Sequence, residues 1–334
     1  MRVRVIDKPC LFAETVYLLY YYINGIAYTR DYERVNRKFG RYLLEKEDQG
    51  LQLAQELDRI SAAVTQTLDP HQARLRYFFE KLPGTDEKTC CCLAHTMLVA
   101  TDMHLANRTN DAAQFTQFTT DLNAYMAQHS GQKMYALTLG DMTWDLYWYK
   151  NNYALPQYRE TINRQVKNLQ IYHTMGNHDN DGATIHSDSV DWAASAPYRR
   201  IIGPRYYSFN IGKVHYVVLD NLIYVNSPKK NSKDGIAGKR DYVRRVDSLQ
   251  LDWLRRDLAT VEDKSAPVVV AMHAATYRYN KFNDKVTAGL SDPAYSAELK
   301  ACFDGFEEVH YVSGHIHKNL LARVDDRLIE HNIG

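Results

Sequence analysis

The sequence predicts an α/β (α+β) fold over residues 93–334, set behind a helical segment at residues 1–92. Two observations predict it. From about residue 93, short apolar runs alternate with stretches at helical spacing, in the order strand, helix, strand, helix, strand. That order belongs to a parallel sheet with crossover helices. After about residue 206 the rhythm changes to closely spaced strands joined by turn residues, which predicts hairpins added to the parallel part.

The first 92 residues carry helical periodicity. Val35, Phe39, Tyr42 and Leu43 mark one apolar face within Arg30 to Glu47. Leu53, Leu57, Ile60 and Val64 mark the next. Asp69-Pro70 reads as an N-cap with proline in the first turn. Leu75, Phe78, Phe79 and Leu82 follow, and Pro83-Gly84 ends that helix. His71 and His95 are lone histidines with structural or solvated roles.

The alternating region begins with a strand from His95 to Thr101 that runs into Asp102-Met103-His104. A helix follows from Ala112 to His129, then a strand from Met134 to Leu139 ending in Gly140-Asp141. Pro156 to Asn168 reads as the next helix. Leu169 to Met175 is a strand that ends in Gly176-Asn177-His178-Asp179. Tyr206 to Ile211 and Val214 to Leu219 form a hairpin around Gly212-Lys213, and Asn226 to Asp247 reads as a polar loop. A helix from Leu249 to Val261 precedes a strand, Pro267 to Met272, that ends in His273. Tyr295 to Phe303 is helical. Glu308 to Ser313 is a strand ending in Gly314-His315-Ile316-His317. A last hairpin turns at Asp325-Asp326.

Composition excludes some classes. The net charge is +1, so no overall field draws the chain to nucleic acid or to a membrane surface. The apolar run Val16 to Ala27 is too short to span a bilayer. Arg2, Arg4 and Lys8 precede an apolar run as in a signal peptide, but Glu14 interrupts it and no small-residue cleavage site follows. The cysteines are Cys10, Cys90, Cys91, Cys92 and Cys302. Their number is odd and their spacing fits neither a disulfide framework nor a zinc finger, which favours free thiols in a reducing compartment such as the cytoplasm.

The strand ends hold the chemistry. Together they supply Asp102, His104, Asp141, Asn177, His178, His273, His315 and His317. Side chains at the carboxyl ends of sheet strands converge on one crevice, so these residues are expected to meet at one edge of a sheet. Imidazole and carboxylate without thiolate suit manganese, iron or zinc in a working site better than a structural zinc. One aspartate can bridge two ions through its two oxygens, and such a pair can clamp a phosphoryl group. No single one of these short motifs is specific; five of them in this order, each after its own strand, are.

The series Asp102-x-His104, Gly140-Asp141, Gly176-Asn177-His178-Asp179, His273 and Gly314-His315-x-His317 resembles the calcineurin-like metallophosphoesterases. The resemblance covers about residues 96–334. It implies a four-layer β-sandwich flanked by helices, with two metal ions at one end. It implies that Asp102, His104, Asp141 and His317 hold the first ion, and that Asp141, Asn177, His273 and His315 hold the second. His178 would then stand beside the phosphate and be positioned by Asp145 or Asp179. The expected reaction is in-line attack of a metal-bound hydroxide on a phosphomonoester or phosphodiester of a small molecule, glycan or lipid. The stretches Thr138 to Asp145 and Tyr206 to Asn210 look like a subgroup common in Bacteroides-type bacteria, whose members are often exported and continue into further strands beyond the point matching Gly334. A non-catalytic metal-binding module, with the helical segment serving oligomerisation or interaction, is the alternative. The full set of site residues argues against it, and the near-zero net charge argues against a nuclease.

Two further stretches bear on substrate. Trp144, Tyr147, Trp148, Tyr149 and Tyr153 read either as a stacking wall or as core. Lys229, Lys230, Lys233, Lys239, Arg240, Arg244 and Arg245 form either a solvated loop or a rim for an anionic substrate.

Overall fold

The computed structural model describes residues 95–181, 190–225, 241–289 and 293–334. The predicted helical segment 1–92 lies outside the described residues, as do Cys10, His71, Cys90, Cys91, Cys92, Lys229, Lys230, Lys233, Lys239 and Arg240.

The described chain begins with the alternation that the sequence predicts. Strand β1 (His95–Ala100) leads to helix α1 (Asp111–Gln128), strand β2 (Lys133–Thr138), helix α2 (Leu155–Gln165) and strand β3 (Gln170–His173). The three strands pair in parallel in the order β1-β2-β3. Two short helices follow, α3 (Val190–Ala194) and α4 (Ala196–Ile201). The chain then builds a second sheet. Strands β4 (Tyr207–Ile211) and β5 (Val214–Val218) are the expected hairpin. After β6 (Leu222–Val225) and β7 (Asp241–Arg244) come helix α5 (Ser248–Ala259), strand β8 (Val268–Ala271), and the hairpin β9 (Tyr277–Asn280) and β10 (Lys285–Ala288). Helix α6 (Pro293–Ala301), β11 (Val309–Ser313), β12 (Leu320–Arg323) and β13 (Leu328–Asn332) complete it. The second sheet has six strands in the order β12-β13-β11-β8-β5-β4.

The two sheets face each other, and the alternation of side chains shows how. In β8, Val268 and Val270 point to one core while Val269 and Ala271 point to another. The second of these cores is the sandwich interior: Leu137 and Val99 from the first sheet meet Val218, Ala271 and Val312 from the second. The outer face of the six-stranded sheet packs on α5 and α6 through Leu251, Leu254, Leu258, Tyr295 and Leu299. The outer face of the three-stranded sheet packs on α1, α2 and α4 through Phe115, Tyr158, Ile162 and Tyr198. The result is four layers, helix, sheet, sheet, helix.

Helix α5 shows why these elements form. Asp247 caps it by accepting from the Gln250 amide at 2.8 Å. Leu251, Leu254 and Leu258 then fall on one buried face. At about 1.5–3 kcal/mol for each fully buried leucine, that face decides where the helix lies.

Some expectations require correction. The site-bearing strand ends belong to two sheets rather than one: β1, β2 and β3 supply three, and β8 and β11 supply two. Part of the predicted polar loop is strand β7, paired antiparallel with β6. Four residues flanked by charge give too short an alternation to detect. The hairpin β9-β10 and helices α3 and α4 lacked a clear signal for the same reason of length.

Candidate metal centre

Each site residue follows the last paired residue of its strand, where the backbone leaves the ladder. Asp102, His104, Asp141, His315 and His317 all adopt positive φ, between 47° and 71°. Few non-glycine residues do so, and the conformation costs free energy. Here it turns five donor side chains back over the strand ends. Gly140 has φ of 94°, and a Cβ there would lie 2.6 Å from His273 Nδ1 and 2.7 Å from Gly176 Cα. At Gly176 a Cβ would collide with the Asp141 backbone and carboxylate, so only glycine fits there.

The donors gather in two groups around Asp141. In the first, His317 Nε2 stands 3.1 Å from Asp102 Oδ1 and 3.2 Å from His104 Nε2. In the second, His273 Nε2 stands 3.0 Å from Asn177 Oδ1, 3.2 Å from Asp141 Oδ2 and 3.2 Å from His315 Nδ1. Asp141 Oδ2 also lies 3.8 Å from His104 Nε2, so this one oxygen faces both groups. The other oxygen, Oδ1, accepts the His178 amide at 2.7 Å. The sequence reading set both Asp141 oxygens toward the donors; here Oδ2 alone faces the two groups while Oδ1 is taken by a backbone amide.

These residues fit cations. One ring nitrogen of His273 faces Asn177 Oδ1, Asp141 Oδ2 and His315 Nδ1 together and cannot satisfy all three with a single N–H. His104 Nδ1 is buried without a hydrogen-bond partner. The charges agree. Burial raises the Asp102 carboxyl, but His104, His273 and Thr101 outweigh it and hold it down at about 2. Burial disfavours charge on His273 too, yet Asp141 overrides it and lifts the ring to about 9. Burial and the neighbouring His273 press His315 down to about 3. A cluster of ionised carboxylates that draws a proton onto a buried imidazole is one that lacks positive charge. Asp102, His104 and His317, and Asp141, His273 and His315, each bring one donor atom within 4.8 Å of the others, and Asn177 adds its carbonyl to the second set.

The supports of these donors are fixed as well. His273 Nδ1 faces the Leu139 carbonyl at 2.7 Å, which points Nε2 into the cluster. Asp102 Oδ2 accepts from Thr101 Oγ1 at 2.6 Å and the His315 amide at 2.8 Å.

His178 sits beside the donors rather than among the predicted ligands, grouping with His104 and Asp141. Of its two proposed partners, Asp145 is the one in contact, with Oδ1 at 2.5 Å from His178 Nδ1. Asp179 instead accepts from the amides of Thr143 and Gly176, both at 3.0 Å, and braces the turn. Burial and the nearby Asp141 raise its carboxyl to about 6.

The aromatic run divides. Trp144 lines the site, its ring 5.4 Å from His104 and 5.8 Å from His178, with Tyr147 behind it at 5.1 Å. Trp148 is buried and donates to Thr143 Oγ1 at 3.0 Å, so it is core. Tyr153 packs on the same outer core, and Tyr149 is exposed, donating to Asp181 at 2.8 Å. His95 is structural, at 2.6 Å from the Tyr216 hydroxyl. Two residues at the site had no signal of their own. Tyr242 and Arg244 on β7 each reach His315 Nε2 at 3.4 Å, and only the basic character of their surroundings singled Arg244 out.

The four-layer sandwich with paired donor groups at its strand ends is the framework of a dinuclear-metal hydrolase. The chain belongs to the calcineurin-like phosphoesterase family, whose model matches residues 95–319. It is a metal-dependent phosphoric ester hydrolase, and the family implies two metal ions. Among solved structures, a dimetal phosphatase from Danio rerio is similar at TM-score 0.47 and 12% identity, over 72% of this chain and 87% of that one. A 5'-nucleotidase from Candida albicans is similar at TM-score 0.38 and 15% identity, over 72% of this chain and 46% of that one. The family model, not these likenesses, carries the assignment. A search of curated proteins found no match. No helix among the described residues is long and apolar enough to cross a membrane.

Proposed function

We propose that the chain hydrolyses a phosphate ester of a small molecule, glycan or lipid at this centre, without a covalent phosphoenzyme. Asp102, His104, Asp141 and His317 hold one ion; Asp141, Asn177, His273 and His315 hold the other. The observation that supports this most is the Asp141 carboxylate oxygen facing both donor groups, 3.2 Å from His273 and 3.8 Å from His104. The donor chemistry suits manganese, iron or zinc. We assign the catalytic unit to residues 93–334 and a separate role to residues 1–92.

When bound, the ions supply Lewis-acid charge neutralisation and activation of water. The chain does the rest. Asp145 takes the Nδ1 side of His178, so Nε2 is the nitrogen that carries a proton toward the leaving group or a phosphoryl oxygen. Trp144 stands on one side of the site, its ring 5.8 Å from that of His178.

Purified full-length protein, loaded with Mn²⁺, is assayed with 4-nitrophenyl phosphate and bis(4-nitrophenyl) phosphate. The expected result is turnover that a chelator abolishes and added Mn²⁺ restores. Folded, metal-loaded protein that turns over neither substrate refutes the reading.

A further inference from the structure

The hairpin β6-β7 is not needed to hold any predicted metal ligand, yet it is fastened to the site. Tyr224 donates to the Gly176 carbonyl at 3.3 Å, and its amide donates to Asp191 at 2.9 Å. Tyr242, its partner across the ladder, stands edge-on to Tyr224 and to His315. Residues 242 and 244 share one face of β7, so Arg244 points the same way as Tyr242. Its guanidinium lies 5.5 Å from the centre of the Tyr242 ring, and Nη2 is 3.4 Å from His315 Nε2.

The position is electrostatically odd. Among the described residues Arg244 has no carboxylate within ion-pair distance, and its buried Nε has no hydrogen-bond partner. Among the described residues its polar neighbour is an imidazole whose other nitrogen, Nδ1, faces the donor group of Asp141 and His273. An imidazole that offers Nδ1 to a cation carries its proton on Nε2, and an N–H cannot accept from a guanidinium. The ring Nε2–H then has Tyr242 Oη as its acceptor, and the fork of Arg244 is left with none. Stacking on Tyr242 accounts for where the guanidinium rests, but not for an uncompensated cation kept at the edge of the centre. An anion held beside His315 would supply the acceptor that the described residues do not.

We infer that Arg244 binds a peripheral oxygen of the substrate phosphoryl group and sets a preference for monoesters, whose terminal phosphate carries a second negative charge. This rests on the phosphoesterase reading of the site. A guanidinium matches two phosphate oxygens with parallel N–H donors, whereas a diester offers one charge and one oxygen fewer.

The test uses full-length, Mn²⁺-loaded protein and the variants Arg244→Ala and Arg244→Lys. Metal content per chain is measured first. Binding of inorganic phosphate is then measured by calorimetry, and kinetics with 4-nitrophenyl phosphate and bis(4-nitrophenyl) phosphate. In Arg244→Ala, phosphate affinity is expected to fall, and KM for the monoester to rise, by about 10- to 100-fold, the range of a lost charge-assisted pair. Metal content stays at the wild-type level, kcat changes less than KM, and the diester is affected less than the monoester. Arg244→Lys recovers part of the loss. Wild-type turnover with unchanged phosphate affinity and unchanged monoester KM in Arg244→Ala overturns this inference and leaves the phosphoesterase reading standing. A wild-type protein that neither binds phosphate nor turns over either ester overturns both.

Discussion

Asp145 determines which nitrogen of His178 is available for chemistry. Its carboxylate is almost fully buried and sits on Nδ1 at 2.5 Å, so the ring is held in one orientation and one tautomer. Asp145→Asn is therefore expected to lower kcat by about 10²- to 10⁴-fold, the usual weight of a positioned acid–base group, with metal content unchanged. Equal kcat in the variant would remove His178 and Asp145 from the mechanism. At this scale the sequence was legible where chemistry repeats itself. Asp102, His104, Asp141, Asn177, His178, His273, His315 and His317 each follow a recognisable strand, so their meeting could be expected. The partner of His178 could not, because Asp179 is its neighbour in sequence while Asp145 lies 33 residues away, and only the fold brings Asp145 to the ring. Arg244 was legible only as one member of a basic loop that could rim an anionic substrate, and Tyr242 left no trace, since a lone tyrosine after a charged stretch has no periodicity to read.

The turns that carry the ligands need bracing, because positive φ at five donors works against the fold. Strand β13 supplies the brace. Glu330 is 1% exposed and accepts from the amides of Thr276 at 2.9 Å and Tyr277 at 2.5 Å and from Ser313 Oγ at 2.9 Å. Asn332 donates to Ser313 Oγ at 3.0 Å and to the Gly314 carbonyl at 2.6 Å. One strand thus ties the chain after His273 to the chain before His315. Burial raises the Glu330 carboxyl from its ordinary 4.5 to about 7, against the three hydrogen bonds. Because the folded value is the higher one, its stabilising contribution is complete below about pH 4.5 and is lost as pH rises through 7. The stability of the wild type relative to Glu330→Gln should therefore fall between pH 5 and pH 8, by at most about 3 kcal/mol, in urea unfolding of metal-free protein. A gap that widens with pH would contradict this. The sequence located the longer strands and helices of this scaffold to within a few residues. It missed the paired strands β6 and β7, the hairpin β9-β10 and the short helices α3 and α4, elements of four to six residues set by tertiary position rather than by local pattern.

Across the whole molecule, two sheets meet so that the ends of β1, β2, β3, β8 and β11 open on one place, and Asp141 stands between the two donor groups. The layered sandwich was foreseen through the family resemblance. The strand pattern alone gave a parallel sheet with hairpins and put all five ends on one sheet, because alternation does not report how many sheets the strands join. Ions that bind only the folded chain stabilise it in proportion to their concentration, by about 2.7 kcal/mol at a hundred times the dissociation constant. Chelation should lower the unfolding temperature and Mn²⁺ should restore it; a melting temperature indifferent to both would mean that the donors do not bind ions tightly. The most direct test is the metal content of Asp141→Asn beside the wild type, measured by plasma mass spectrometry on the folded proteins. Two ions per wild-type chain are expected, with a loss at both positions in the variant and no hydrolysis. A variant that keeps both ions and its activity would contradict the shared role of Asp141.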